Sequence, residues 1–430
     1  MSSTFEPYHS TSGWTALLNG TPFKTSAMTQ SFAVDYVVVG AGYAGVAAAR
    51  QLAIRDPVAE IAILEADQLL QNSSSRNSGF MIEVPYTKID QRSSGDLLAW
   101  QTAVMKQGKE SLWEQVKDDP ELASYWKHTG HYKAASTNSG LATLAQIEQK
   151  LKQEKIDYKP LNSTQREHSL GTGYYQGALW IPHCTLVQPA ALLQQLIMKL
   201  PKNVRVFTNS PVVGKKENTS GISLQVGEHR LQARKVIWAA NTHLSHLGFA
   251  SRRQVPVYTY ACLTEPIDAT QQTLGEELAW GLTPAEQLEA TTRKLTDGRL
   301  LFRSGFSYKK ELTVSEQREL LFQGIKKRYP NIKEKQIEYV WGGAVSMTRN
   351  GAPVLKKENN SEVVVSGCNA SGILKMTALG EMAADYLLNN NSTFLQQTIK
   401  YSNPNYIPPE PFRRMGFNIM INRLKKELEN

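Results

Sequence analysis

Over residues 35–66 the chain reads DYVVVGAGYAGVAAARQLAIRDPVAEIAILEA, the stretch that most restricts its fold. The β-branched run at 36–39 predicts a strand, Gly40-Ala-Gly42-Tyr-Ala-Gly45 a turn, the alanine-rich run at 46–52 a helix, and 61–64 a second strand closing at Glu65. Each glycine in this βαβ unit has a physical task. Gly40 makes the tight turn, Gly42 has no side chain to hold a pyrophosphate off the backbone, and Gly45 lets the helix lie close on the strand. The helix start, with Ala44, offers free N–H groups and a positive dipole end to phosphates. Glu65, followed by Ala66, stands twenty residues past Gly45 and suits ribose hydroxyls. A carboxylate there disfavours a 2′-phosphate, which excludes NADP and leaves FAD and NAD open.

At 430 residues the chain is long for one core and predicts two or three domains. Charged residues at 20% and hydrophobic ones at 41% indicate an ordinary folded protein, without tandem repeats or low-complexity tracts. The first thirty residues lack the basic start and apolar core of a secretory signal, and no run reaches the roughly 18 apolar residues of a membrane span. The cytoplasm is therefore the expected compartment. Cys184, Cys262 and Cys368 are odd in number and far apart, which fits neither a disulfide framework nor a zinc site. His128 with His131, and His243 with His246, have i, i+3 spacing but no third ligand nearby, so no metal is expected. The net charge of +9 favours anionic ligands, yet its lysines and arginines are dispersed and no nucleic-acid partner is expected.

Beyond Glu65 the chain runs through DQLLQNSSSRNSGF, with small polar residues where another helix would be expected to start. Here the sequence resembles the D-amino-acid oxidase and glycine oxidase superfamily, and within it the gamma-glutamylputrescine-oxidase-like branch. Ser74, Ser75, Arg76, Asn77, Ser78 and Gly79 match that branch's Ser-Gly-Arg-Asn-Gly-Gly segment, with Ser75 and Ser78 in place of glycines. The resemblance implies noncovalent FAD, with this segment passing from the pyrophosphate to the flavin ring and Arg76, Asn77 and Gly79 near the ring. It extends through GALWIPHCTLVQPAALLQQL, where Pro189 opens a helix, and through the strands and second nucleotide turn that contain Val213, Ala239, Ala240 and Asn241. It continues through YVWGGAVSMTRNGAPVL, with Gly343, and through VVVSGCNASGILKMTALGEMAADYLL, where Gly372, Ile373 and Leu374 present helix N–H groups to the flavin.

Two departures bear on chemistry. The family's last turn, Gly-aromatic-Ser-Gly-His-Gly, reads Gly367-Cys-Asn-Ala-Ser-Gly372 here, and Lys375 follows it as a candidate carboxylate or flavin-edge contact. The cysteine that carries covalent flavin in sarcosine-oxidase-like members has no counterpart in GGAVSMT. Tyr258, Arg303 and Trp341 are expected on the substrate-pocket wall from their segment positions. The tail EPFRRMGFNIMINRLKKELEN sets Phe417, Ile421, Leu424 and Leu428 beside Arg413, Arg414, Arg423, Lys425 and Lys426. This amphipathic helix is expected to dock on its own domain, the alternative being peripheral contact at the inner membrane surface.

The expected fold is α/β: a Rossmann-like FAD domain assembled from separated segments, with an interleaved α+β substrate domain carrying an antiparallel sheet. The FAD segments are 31–95, 165–250 and 336–395, and the substrate segments 96–164 and 251–335. A 1–30 extension and a 396–430 tail flank them. The expected function is FAD-dependent oxidation of the C–N bond of a small-molecule amine or amino acid, with oxygen or a quinone as acceptor. Other classes are a flavin-dependent modification subunit acting on RNA or a protein partner, and a flavoprotein with structural FAD.

Overall fold

The computed structural model describes residues 7–18, 25–84, 95–219 and 221–429. Positions 1–6 and 19–24 of the expected extension, and 85–94 of the first FAD segment, lie outside the described residues.

The apolar run at 36–39 ends the strand Phe32–Val39, near the centre of an eight-stranded sheet, and is buried on both faces. Its parallel part runs Glu362–Ser366, His229–Trp238, Phe32–Val39, Ile61–Leu64, Val204–Phe207. Alternate residues divide between two cores. Val38, Ile61, Ile63 and Ile237 pack under the helices Tyr43–Arg55 and Gly372–Leu387, while Val37, Val39, Ala62 and Leu64 face the antiparallel meander of Val212–Asn218 and Gly221–Val226. Burial from both sides explains why the strand reads as four consecutive valine and tyrosine positions and not as an alternation.

A second eight-stranded sheet runs Ile337–Met347, Val255–Thr264, Leu300–Tyr308, Thr291–Lys294, Trp280–Pro284, His131–Ala135, Gly177–Ile181, Lys159–Leu161. All its neighbours are antiparallel except Trp280–Pro284 with His131–Ala135. The α/β architecture with an interleaved antiparallel sheet is thus present. Two strands fall on the other side of the expected boundaries: Gly177–Ile181, from the 165–250 segment, and Ile337–Met347, from the 336–395 segment, both belong to the second sheet. Strand periodicity states which residues are buried but not which sheet buries them.

Part of the expected extension is core. Ser12 caps the short helix Gly13–Ala16, and Trp14, only 1% exposed, packs with Ala261, Leu301 and Trp341. At the other end, Phe417 stacks on Tyr308 at 4.9 Å and Glu410 bonds Lys309, which fixes the helix Phe412–Glu429 to the second sheet. Ile421 and Leu424 are also half-buried, whereas the Lys425 and Leu428 side chains lie outside the described residues. Phe412, Met415 and Ile419 point to solvent. Among the described residues no helix is long and apolar enough to cross a membrane.

Candidate active site

Both sheets contribute to one cavity of about 330 Å³, and two helix N-termini open into it. The first follows the glycine turn. Gly40 holds φ at +109°, and a Cβ on Gly45 would collide with the Gly40 carbonyl oxygen, so the helix Tyr43–Arg55 starts directly against the strand end. Gly42 is its N-cap and supplies no side chain, leaving the cavity to meet the first N–H groups; among the described residues only that of Tyr43 has a side-chain acceptor, Ser74 Oγ at 3.2 Å. The second N-terminus belongs to Gly372–Leu387, where Ser371 makes no side-chain cap bond and nothing stands within 4 Å of where a Gly372 Cβ would be. Gly372, Ile373 and Leu374 all line the cavity.

Glu65, 6% exposed, closes the second strand at the cavity edge. Its Oε2 accepts from Ala41 N at 2.8 Å and Asn72 Nδ2 at 3.3 Å, and its Oε1 from Ala66 N at 2.9 Å. Burial raises its pKa, and these bonds hold it down. Ala44, Ala66, Ala240 and Gly343 also lie in the lining. Val213 does not: on its strand it faces outward, 44% exposed, while its neighbour Val212 lines the cavity. A one-residue offset reverses the face of a strand residue.

The SSSRNSGF segment forms one wall, but its members have different tasks. Ser74, Arg76, Asn77 and Ser78 line the cavity, whereas Ser75 and Gly79 do not. The Ser75 hydroxyl is wholly buried and bonds back to Leu70 O and Asn72 O. A Cβ on Gly79 would strike the Val187 carbonyl, so this glycine serves packing against protein. Arg76 spends its guanidinium on Gln71 O and Gly342 O at 3.0 Å each and on Ser10 O, under the Tyr8 ring. Its donors tie three parts of the chain together instead of pointing to a ligand. Tyr8 itself lines the cavity, bonded to Ser73 Oγ at 2.7 Å and Ala344 N at 3.0 Å. No sequence signal marked Tyr8, because nothing local ties residue 8 to residue 344.

At the far end the second sheet presents Thr259, Ala261, Thr283, Thr291 and Arg303, with Trp341 beside them. Among the described residues Arg303 makes no hydrogen bond or ion pair; its guanidinium stands over the Phe306 ring at 5.4 Å, and burial pulls its pKa down to about 10. The Thr259 and Thr283 hydroxyls are buried without hydrogen-bond partners among the described residues. Trp341 gives its N–H to Arg76 O at 3.0 Å. Tyr258 lies off the cavity, packed with the opposite core, and its neighbours Thr259 and Tyr260 take the lining positions. Lys375 is also off the lining although Leu374 and Met376 are on it, since a helix turns about 100° per residue. Cys368 lines the cavity, half-buried. Among the described residues no three His, Cys, Asp or Glu side chains assemble as metal ligands.

Residues 35–386 match the family described as FAD dependent oxidoreductase. The chain belongs to this family. It is 26% identical over 403 residues to gamma-glutamylputrescine oxidoreductase of Escherichia coli, covering 90% of this chain and 91% of the relative. It is 22% identical to the probable oxidoreductase OrdL of Haemophilus influenzae over 383 residues, 86% of each chain. The fold is that of glycine oxidase from Geobacillus kaustophilus, with a TM-score of 0.71 at 18% identity over 85% of this chain and 97% of that one. The protein is therefore an FAD-dependent oxidoreductase, and the cavity fits the cofactor. Its two uncapped helix N-termini suit a pyrophosphate and an electron-rich ring edge, its buried carboxylate suits ribose hydroxyls, and the side-chain-free turn leaves room for phosphate.

Within this family member, Lys375 is a buried cation with no hydrogen bond or ion pair among the described residues. Burial lowers its pKa to about 8, and only the nearby Cys368 opposes that shift. A lysine with folded pKa below its unfolded value of roughly 10.5 destabilises the fold fully below pH 8 and less as the pH climbs from 8 to 10.5. Lys375→Met is expected to raise unfolding free energy by roughly 1–3 kcal/mol at pH 7. Urea titrations at pH 7 and pH 10 check this, the gain shrinking at the higher value.

Proposed function

We propose that this oxidoreductase oxidises the C–N bond of an amine or amino acid bearing a carboxylate, and that Arg303 holds the carboxylate. The observation behind this reading is a guanidinium at the cavity wall with no acceptor among the described residues, on the same sheet face as threonine hydroxyls that also lack partners there. Buried polar groups without partners are costly, and a ligand carboxylate supplies four acceptor sites. FAD is held by the glycine turn from Gly40 to Gly45, by Glu65, by the backbone of residues 74–78, and by the helix start at Gly372. When bound, it supplies the acceptor for a hydride from the carbon attached to nitrogen.

The chain contributes orientation. Arg303 fixes the acid end, and Thr259 and Thr291 flank it on the same sheet face. Trp341, locked by its bond to Arg76 O, makes a rigid wall. No side-chain base is needed if the amine arrives neutral, since its N–H proton passes to water as the C=N bond forms. Hydrolysis of the released imine then gives a carbonyl compound and the departing amine. The similarity to an enzyme named for gamma-glutamylputrescine supports an elongated substrate.

Product trapping tests the reading. With an active amine, turnover in the presence of a carbonyl reagent yields one hydrazone per amine released; a hydroxy acid that is turned over while every amine is inert would reject it. Running the same assay with oxygen and with a quinone identifies the acceptor.

A further inference from the structure

The strand register extends Arg303 into a row across the second sheet. Arg303 pairs with Thr291, the Leu282–Thr292 pairing sets Thr283 beside Thr291, and Thr283 pairs with Lys133. Paired residues share a face, so Arg303, Thr291, Thr283 and Lys133 all project from the cavity side. The first three line the cavity and Lys133 stands immediately behind, 5% exposed. At roughly 4.8 Å per strand the row places Thr283 about 10 Å and Lys133 about 14 Å from Arg303 along the backbone.

The polar groups in this row are not consumed internally. Thr283 Oγ1 is buried without a partner, and Lys133 makes no hydrogen bond or ion pair among the described residues. The Glu286 carboxylate acts on the Lys133 charge. That group turns Oε1 to the Ser136 and Thr137 N–H groups at 2.8 and 3.0 Å, and its Oε2 is itself unpartnered. A hydroxyl and a cation are thus held two and three strands from Arg303, on the face where substrate is expected.

We propose that Thr283, with the Lys133 charge behind it, is a second anchoring subsite for a carboxylate, so that the substrate is an amine with two acidic groups. This rests on the reading of Arg303 as the first anchor. The oxidised carbon then lies between the two acids, and chain length sets selectivity. Specificity of this kind comes from groups left unsatisfied by a shorter ligand.

Unreactive linear dicarboxylates from malonate to suberate, and monocarboxylates of matching length, are titrated into the FAD-loaded protein and followed by the shift in flavin absorbance. One or more of the longer dicarboxylates binds about 10-fold or more tightly than its monocarboxylate. Lys133→Met and the near-isosteric Thr283→Val each bring that dicarboxylate's affinity down toward the monocarboxylate value. Dicarboxylates that bind no better at any length, or a preference that survives both substitutions, overturn the proposal. Should Lys133→Met lose its flavin, Thr283→Val decides. Arg303→Leu separates the two readings: if it leaves monocarboxylate affinity intact, the first anchor is wrong whatever the length series shows.

Discussion

Gly42→Val gives a folded, colourless protein. Gly42 caps the first helix with no side chain, and a Cβ there would stand 2.6 Å from Ser74 Oγ. That hydroxyl accepts the Tyr43 N–H and lies in the cavity wall, so valine's methyl groups must displace it or enter the space beside the helix start. Either choice removes backbone donors from the pyrophosphate. Two charge-assisted bonds at roughly 1.5–3 kcal/mol each correspond to about a 10²- to 10⁴-fold loss of FAD affinity. The side chain points into cavity and not into core, so folding is largely spared. Flavin absorbance after gel filtration, with circular dichroism on the same sample, reports both halves. In the unsubstituted protein, heat or acid denaturation should release the FAD to the supernatant, because attachment is noncovalent.

Arg303→Leu removes the acid anchor with little change in volume. The expected result is a kcat/KM for carboxylate-bearing amines lower by roughly 10²- to 10⁴-fold, the equivalent of a bidentate contact at about 3–5 kcal/mol. Most of the change falls on KM if the carboxylate contact is equal in ground and transition states. Arg303→Lys restores charge but not the planar fork and recovers only part of the loss. An amine without a carboxylate should feel little of either substitution. Steady-state kinetics on an acid-bearing and an acid-free amine distinguish these results.

The cofactor half of the molecule was more legible than the substrate half. The Gly40–Glu65 unit is local, and its glycines, strand and acid specify one another within about thirty residues, so spacing alone places it. The segments after it were legible through resemblance, but the roles of their side chains were not. Arg76 reads as a flavin contact because arginines near flavins have that use; besides Gln71 five residues away, its acceptors are Gly342 O and Ser10 O, 266 and 66 residues away. Lys375 and Val213 lie one position off the cavity lining, on a helix and on a strand, where a single step changes the face. Tyr258 likewise lies beside the lining and not in it, while Thr259, Thr283 and Thr291 carried no signal because threonine is an ordinary strand residue. Their common placement depends on the register of four separate strands, which no local pattern encodes.

The departures in the last turn now have a physical setting. Asn369 and Ala370 adopt φ of 46° and 63°, the left-handed region that favours glycine, where the family pattern has one. Asn369 offsets part of that strain by accepting Thr348 N at 2.8 Å and donating to Gly351 O at 3.0 Å. The turn is thus held in shape by a side chain, and the following helix start remains open to the cavity.

The proposed oxidation of a carboxylate-bearing amine at this cavity, with FAD as acceptor, can be followed in the flavin spectrum. Anaerobic titration of the FAD-loaded protein with amines and amino acids tests it most directly. The predicted result is stoichiometric loss of flavin absorbance near 450 nm, roughly the position of the oxidised chromophore, by at least one carboxylate-bearing amine, at far higher concentration in Arg303→Leu. Retention of full absorbance with every amine, in a protein that is bleached by a hydroxy acid, would contradict it.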